Sequence, residues 1–133
     1  MNLFDRVFSL DNCNETIGKC DFIISCMPEN KESMHYWNKH KFKIMKSSCI
    51  FINIGRGSAV VLSDLRLALK NKNISGAVLD VTQPEPLLLL HLCRFTRRLV
   101  VTNHSSYYSK FNKDRLIELY KHYLVILFLD KQF

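Results

Sequence analysis

Apolar and polar positions along this chain follow two rhythms. Phe22-Ile23-Ile24-Ser25-Cys26-Met27 is a short apolar run stopped by Pro28, the pattern of a buried strand. Residues 30–46 are polar and Lys-rich, with Trp37, Phe42, Ile44 and Met45 available as a buried side, which predicts a helix. Cys49-Ile50-Phe51-Ile52-Asn53-Ile54 predicts a second strand, ended by Gly55-Arg56-Gly57. Ser63-Asp64 is a plausible N-cap for a helix whose apolar face draws on Leu62, Leu65, Leu67, Ala68 and Leu69. That helix frays into Lys70-Asn71-Lys72-Asn73. Residues 74–81 and 99–102 predict two more strands, and residues 112–130 one long helix that grows more apolar toward 124–129.

Aliphatic strands alternating with helices imply βαβ units and a parallel sheet, so the fold class is α/β. Right-handed crossovers bring the C-terminal ends of all such strands to one edge, where open α/β sheets bind ligands. The polar residues that follow the apolar runs are Gly55-Arg56-Gly57, Asp80, Glu85 and His104. Four segments thus deliver candidate chemistry to one rim.

A length of 133 residues suits one domain, and 47% hydrophobic residues suffice for a core. The 19 Lys plus Arg against 12 Asp plus Glu give a net charge of +7, which favours anionic partners and selects none. A basic solvated surface is the plainer reading of the same number. Arg94, Arg97 and Arg98 with Phe95 form a small basic cluster able to touch phosphate. No nucleic-acid module accompanies it, so a solvated turn is preferred and nucleic acid is disfavoured as a partner. The five cysteines, an odd number with no CxxC, read as reduced, mostly buried thiols of a cytoplasmic protein; none has a neighbouring base to make it a nucleophile. His35 and His40 are five apart, off the helical spacing of a ligand pair, so no metal is expected. The apolar runs 87–90 and 124–129 fall far short of the ~20 residues of a membrane helix. The first residues lack the order of a signal peptide.

Arg56, between two glycines at a strand end, has the planar fork for a bidentate grip on a carboxylate, with glycines that let backbone approach a ligand. Taken in isolation, a surface Arg in a tight turn is the preferred reading. His104 is a candidate general acid or base, or a satisfied structural histidine. Glu85, held between Pro84 and Pro86, could stabilise an imidazolium beside it, or be a solvated loop acid.

Taken in order, these segments resemble the D-isomer-specific 2-hydroxyacid dehydrogenases. The resemblance runs through residues 21–28, Phe51-Ile52-Asn53-Ile54-Gly55-Arg56-Gly57, Ser63-Asp64-Leu65, Ala77-Val78-Leu79-Asp80-Val81, Pro84-Glu85-Pro86-Leu87 and Val100-Val101-Thr102-Asn103-His104. It covers about residues 9–110. It implies a partial Rossmann-like parallel sheet with flanking helices. Residues 1–110 would be the second half of an NAD-binding domain and 111–133 a C-terminal helix. The family's catalytic Arg, Glu and His fall on Arg56, Glu85 and His104. The implied chemistry is hydride transfer between NAD(H) and C2 of a 2-keto or 2-hydroxy acid such as glyoxylate or hydroxypyruvate. His104 would protonate the nascent alkoxide, Glu85 would orient it, and Arg56 would bind the substrate carboxylate. Met27, Pro28, Ile54, Gly55, Arg56, Asp80 and His104 match the nicotinamide side, with NADP left open.

The family's G-x-G-x-x-G phosphate fingerprint is not found among the four glycines, nor is its substrate domain. Residues 22–27 would then be an exposed apolar edge, and little turnover is expected of these residues alone. That edge or the C-terminal helix would support a homo-oligomer. The segment Leu88-Leu89-Leu90-His91-Leu92-Cys93 departs from the family's usual sequence after Glu-Pro-Leu, and Asn103 replaces a usual Pro. Residues 105–109, Ser-Ser-Tyr-Tyr-Ser, are similar to a stretch of the C-terminal-binding-protein co-repressors, which bind NAD and recruit partners. A non-enzymatic interaction module is the alternative.

Overall fold

The computed structural model describes residues 4–105 and 109–129, with the side chains of Tyr120 and 122–129 set aside. Four parallel strands form one sheet in the order β1 (Phe22–Ser25), β2 (Ile50–Asn53), β3 (Gly76–Leu79), β4 (Leu99–Val101). The register pairs Ile23 with Phe51, Phe51 with Ala77 and Ala77 with Leu99, so like positions line up across the sheet. Helices α1 (Asn14–Ile17), α2 (Lys39–Ile44), α3 (Leu62–Lys70) and α4 (Asn112–Leu129) complete the chain. The four predicted strands are all present, each shortened by residues that turn away at its ends. The last helix is present over almost its full predicted length.

The strands are buried on one face only. Ile23, Ser25, Phe51, Asn53, Ala77 and Leu79 alternate onto the covered side, and α2 and α3 pack against each other there. The opposite side keeps Phe22 63%, Ile24 59% and Val100 55% exposed, and β1 lies at an edge of the sheet. Continuous apolar runs predict buried strands, but strand side chains alternate, and the described residues cover one face. In the core, the Phe51 ring meets Trp37 at 5.0 Å and Phe42 at 5.4 Å between centroids, contacts that add about 0.5–1.5 kcal/mol each beyond area burial.

The predicted helix over 30–46 is a turn, an extended residue and a short helix. Asn30 accepts from the backbone of Glu32 and Ser33, His35 is left-handed at φ 55°, and Trp37 bridges to Val60 as an extra strand-like pair. Asn38 then caps α2 by accepting from His40 and Lys41. Side chains that bond to local backbone stop a helix from running through such a stretch. Trp37, Phe42 and Met45 are buried as expected, whereas Ile44 is 40% exposed. Helix α3 starts at Leu62 without a side-chain cap, because Asp64 spends its carboxylate on the Lys39 backbone N–H at 2.8 Å. Leu67 points outward from it. Of the cysteines, Cys49 and Cys93 are buried, Cys13 and Cys20 half-buried and Cys26 exposed, so the expectation of mostly buried thiols holds for two. No helix among the described residues is long and apolar enough to cross a membrane.

Candidate functional site

The parallel strands lead to a common edge. β1 runs into Cys26-Met27-Pro28, β2 into Ile54-Gly55-Arg56, β3 into Asp80 and β4 into Thr102-Asn103-His104. The two glycines around Arg56 exist for close packing. A Cβ on Gly55 would lie 2.6 Å from the Met27 carbonyl oxygen, and one on Gly57 would lie 2.2 Å from the Thr82 carbonyl group. Neither glycine has a positive φ. These contacts give both glycines a packing reason: they admit the neighbouring strand-end loops. Asn53, fully buried at the end of β2, donates to the Arg56 carbonyl at 3.0 Å and accepts from the Gly55 N–H at 3.3 Å, fixing the turn that presents Arg56.

The Arg56 side chain is exposed and donates to the Gly55 carbonyl at 2.9 Å. Among the described residues it is in no ion pair, which leaves its fork's remaining donors toward solvent at the rim. Ile54 is 41% exposed, Met27 half-buried and Pro28 exposed, giving the rim a partly apolar surface beside the guanidinium.

Glu85 and His104 are brought together. His104 Nδ1 lies 2.9 Å from Glu85 Oε1, with the two side chains 48% and 42% exposed. The carboxylate therefore takes the Nδ1 side of the ring, and Nε2 is the nitrogen left for another partner. Thr82 donates to the Pro84 carbonyl at 2.9 Å and shapes the turn that carries Glu85. The unusual 88–93 segment does not separate the pair. Its short helical turn is clamped by Arg94, whose guanidinium donates to the Leu87 and Leu88 carbonyls.

His104 is left-handed, with φ 51°, a conformation that costs a non-glycine residue about 1–3 kcal/mol unless its surroundings hold it. Asp80 holds it. Its carbonyl accepts from the His104 N–H at 2.9 Å, and its carboxylate accepts from the Ser105 N–H at 2.9 Å and from the Thr102 hydroxyl. Asp80, Thr102, Ser105, His104 and Glu85 thus form one hydrogen-bonded unit, with Asp80 buried beneath it. Among the described residues Arg56 donates to the Gly55 carbonyl rather than to this unit. Asn53 and Thr102 escaped the sequence reading as site residues. The only signal for either was a polar residue closing an apolar strand. The co-repressor-like stretch includes residues 106–108, which lie outside the described residues. Among the described residues no three His, Cys, Asp or Glu side chains gather as a metal-ligand group.

Comparison with known proteins gives these residues a context. The family described as D-isomer specific 2-hydroxyacid dehydrogenase, NAD binding domain, matches residues 3–106. The glyoxylate reductase/hydroxypyruvate reductase of Mus musculus is 39% identical over 87 residues, 65% of this chain and 26% of that protein. The crystal structure of phosphoglycerate dehydrogenase from Lactobacillus plantarum aligns with a TM-score of 0.71 and 31% identity, over 77% of this chain and 34% of that one. That of a D-isomer specific 2-hydroxyacid dehydrogenase from Xanthobacter autotrophicus Py2, in complex with NADPH and MES, aligns with a TM-score of 0.68 and 25% identity, over 71% and 31% of the two chains. The chain spans about a third or less of the length of these relatives.

Proposed function

The chain belongs to the D-isomer specific 2-hydroxyacid dehydrogenase family, and on that premise we propose that its rim is the nicotinamide-side half of a site for reversible hydride transfer between NAD(H) or NADP(H) and a small 2-keto or 2-hydroxy acid. Residues 1–110 act as the second half of the nucleotide-binding domain, followed by the C-terminal helix α4 (Asn112–Leu129). Glyoxylate and hydroxypyruvate are the substrates to try, from the name of the murine relative. The observation that carries the reading is the 2.9 Å Glu85–His104 pair, standing where the strand ends converge.

The residues present suit one end of a dinucleotide. Met27, Pro28, Ile54, Gly55, Asp80 and His104 offer a partly apolar rim with polar groups at its far side. No G-x-G-x-x-G is present for the pyrophosphate. A bound nicotinamide supplies or accepts the hydride. His104 Nε2 holds the proton that the C2 oxygen takes up as the keto acid is reduced, and receives it back in the oxidation. Glu85 accepts the Nδ1–H, keeps that tautomer and stabilises the imidazolium that forms in the oxidative direction. Arg56 grips the substrate carboxylate through two parallel N–H donors and so orients C2. Asp80 acts from below as the positioning residue that holds the backbone of His104, and lies on the nicotinamide side.

The test is a melt of the 133-residue chain with millimolar NADH or NADPH, followed by absorbance at 340 nm with glyoxylate or hydroxypyruvate. A nucleotide at ten times its Kd raises stability by about 1.4 kcal/mol. The reading expects such a rise together with slow residual turnover that His104→Asn abolishes and Glu85→Gln cuts by about 10²-fold or more. No rise and no turnover with either nucleotide overturns it. Turnover that survives His104→Asn does so as well.

A further inference from the structure

A second concentration of chemistry lies away from the rim. Parallel strands all run toward the rim, so the segments preceding β3 and β4, including Lys72 and Arg97-Arg98, stand at the opposite edge of the sheet. A cleft of about 460 Å³ opens there between α3 and residues 92–98. Its lining includes five cations, Arg66, Lys70, Lys72, Arg97 and Arg98, and no acidic residue. None of the five is ion-paired among the described residues, whose salt bridges all lie elsewhere. Like charges gathered around one cleft repel one another within a Debye length of about 8 Å, and an anion relieves that repulsion.

The cleft is built rather than incidental. Arg66 Nε donates to Thr96 Oγ1 at 3.3 Å, and Thr96 in turn donates to the Leu92 carbonyl at 2.9 Å, tying α3 to the opposite wall. Arg94, which the sequence grouped with Arg97 and Arg98, is turned onto the 87–88 carbonyls and is no part of the lining. Lys72 and Arg98 are both left-handed, at φ 60° and 65°, a conformation rare for residues with long side chains. Between the cations the wall is apolar and open. Phe95 is 70% exposed, Leu92 58% and Leu67 55%. A bare phosphate would leave that wall unused, and the volume matches a single small ligand.

We propose that this cleft binds a nucleoside polyphosphate, its phosphates among the five cations and its base against Phe95, Leu67 and Leu92. Guanidinium forks suit phosphate oxygens, and an aromatic face suits a base. The site is independent of the dehydrogenase reading and shares none of its residues.

The experiment is a titration of the full chain with fluorescent mant-ADP, read by anisotropy at low and physiological salt. Saturable binding is expected, weakened tenfold or more by Lys70→Glu/Arg97→Glu and several-fold by Phe95→Ala. Lys31→Glu, a charge change elsewhere, and Arg56→Ala, at the rim, should leave the Kd within twofold. Melts of each variant report folding, and should the double variant unfold, the single Lys70→Gln and Phe95→Ala titrations decide. The proposal falls if no saturable binding occurs, or if Lys31→Glu weakens it as much as the cleft variants. It also falls if Arg56→Ala abolishes the signal, which would assign the nucleotide to the rim. Inorganic pyrophosphate binding as tightly as ADP, or a ten-nucleotide RNA binding more tightly, overturns it too.

Discussion

Replacing Gly57 by alanine tests the finding that the glycines beside Arg56 exist for backbone packing. The added Cβ would sit 2.2 Å from the carbonyl carbon and oxygen of Thr82 and 2.7 Å from the nitrogen of Gln83. All three are backbone atoms, so no side chain can swing aside. Reaching an ordinary contact of 3.4 Å from 2.2 Å requires the two segments to part by about 1.2 Å. Overpacking of this kind costs up to about 3 kcal/mol, and the stiffer unfolded chain of alanine returns about 0.4–1 kcal/mol. A net loss of about 2 kcal/mol lowers Tm by roughly 6–10 °C for a chain of this size. Thr82 also shapes the turn that carries Glu85, so the same displacement stretches the 2.9 Å contact to His104. Gly76→Ala is the matched control: its Cβ would lie 3.4 Å from the Arg98 carbonyl oxygen, an ordinary contact. That variant should melt within about 2 °C of the wild type, or slightly above it. Circular dichroism melts of the three chains in parallel decide the matter. A Gly57→Ala chain that melts with the wild type, or equal losses in both variants, would refute the packing argument.

Asp80→Asn weakens the carboxylate's hold on the Ser105 N–H and the Thr102 hydroxyl, charge-assisted bonds worth about 1.5–3 kcal/mol each at most, and should lower Tm and shift the His104 ring resonances in NMR spectra. A thiol reagent at neutral pH should modify exposed Cys26 first and spare Cys49 and Cys93, whose thiols burial pushes up; mass spectrometry of partly labelled protein shows the order. Alkali should destabilise the fold. Desolvation raises Tyr36, Cys49 and Cys93 alike, so their contribution is complete below the ordinary thiol value of 9.0 and is lost as pH climbs, because the unfolded chain ionises first. Tm at pH 10 should therefore lie below Tm at pH 7.5, and an unchanged value would contradict the burial of these groups. Trp37→Phe removes the 2.9 Å bond from the indole to buried Ser25 Oγ and leaves that hydroxyl without its donor, for a loss of about 1–3 kcal/mol in urea unfolding.

Much was legible in the chain itself. The strand runs, their parallel direction and the placing of Arg56, Asp80, Glu85 and His104 after strand ends follow from aliphatic segments alternating with helical ones, because crossovers between parallel strands bring the C-terminal ends to one edge. What was not legible depended on partners far apart in sequence. The 30–46 stretch carries helical composition, yet Asn30 and Asn38 bond to nearby backbone and break it. The continuous apolar runs concealed which face is covered, since that depends on where α2 and α3 pack.

The candidate site divides along the same line. Residue types at strand ends are a property of local sequence, so Glu85, His104 and Arg56 could be named from it as candidates. The 2.9 Å approach of Glu85 to His104 is a property of the tertiary structure, reached through a clamped 88–93 segment that the sequence left open. So is the role of Asp80 beneath His104, which needs β3 and β4 in register to bring residues 22 to 25 apart in sequence within hydrogen-bond distance. The glycines show the difference most plainly: the chain says only that a side chain is missing at positions 55 and 57. The fold says that the backbones of Met27 and Thr82 occupy the space.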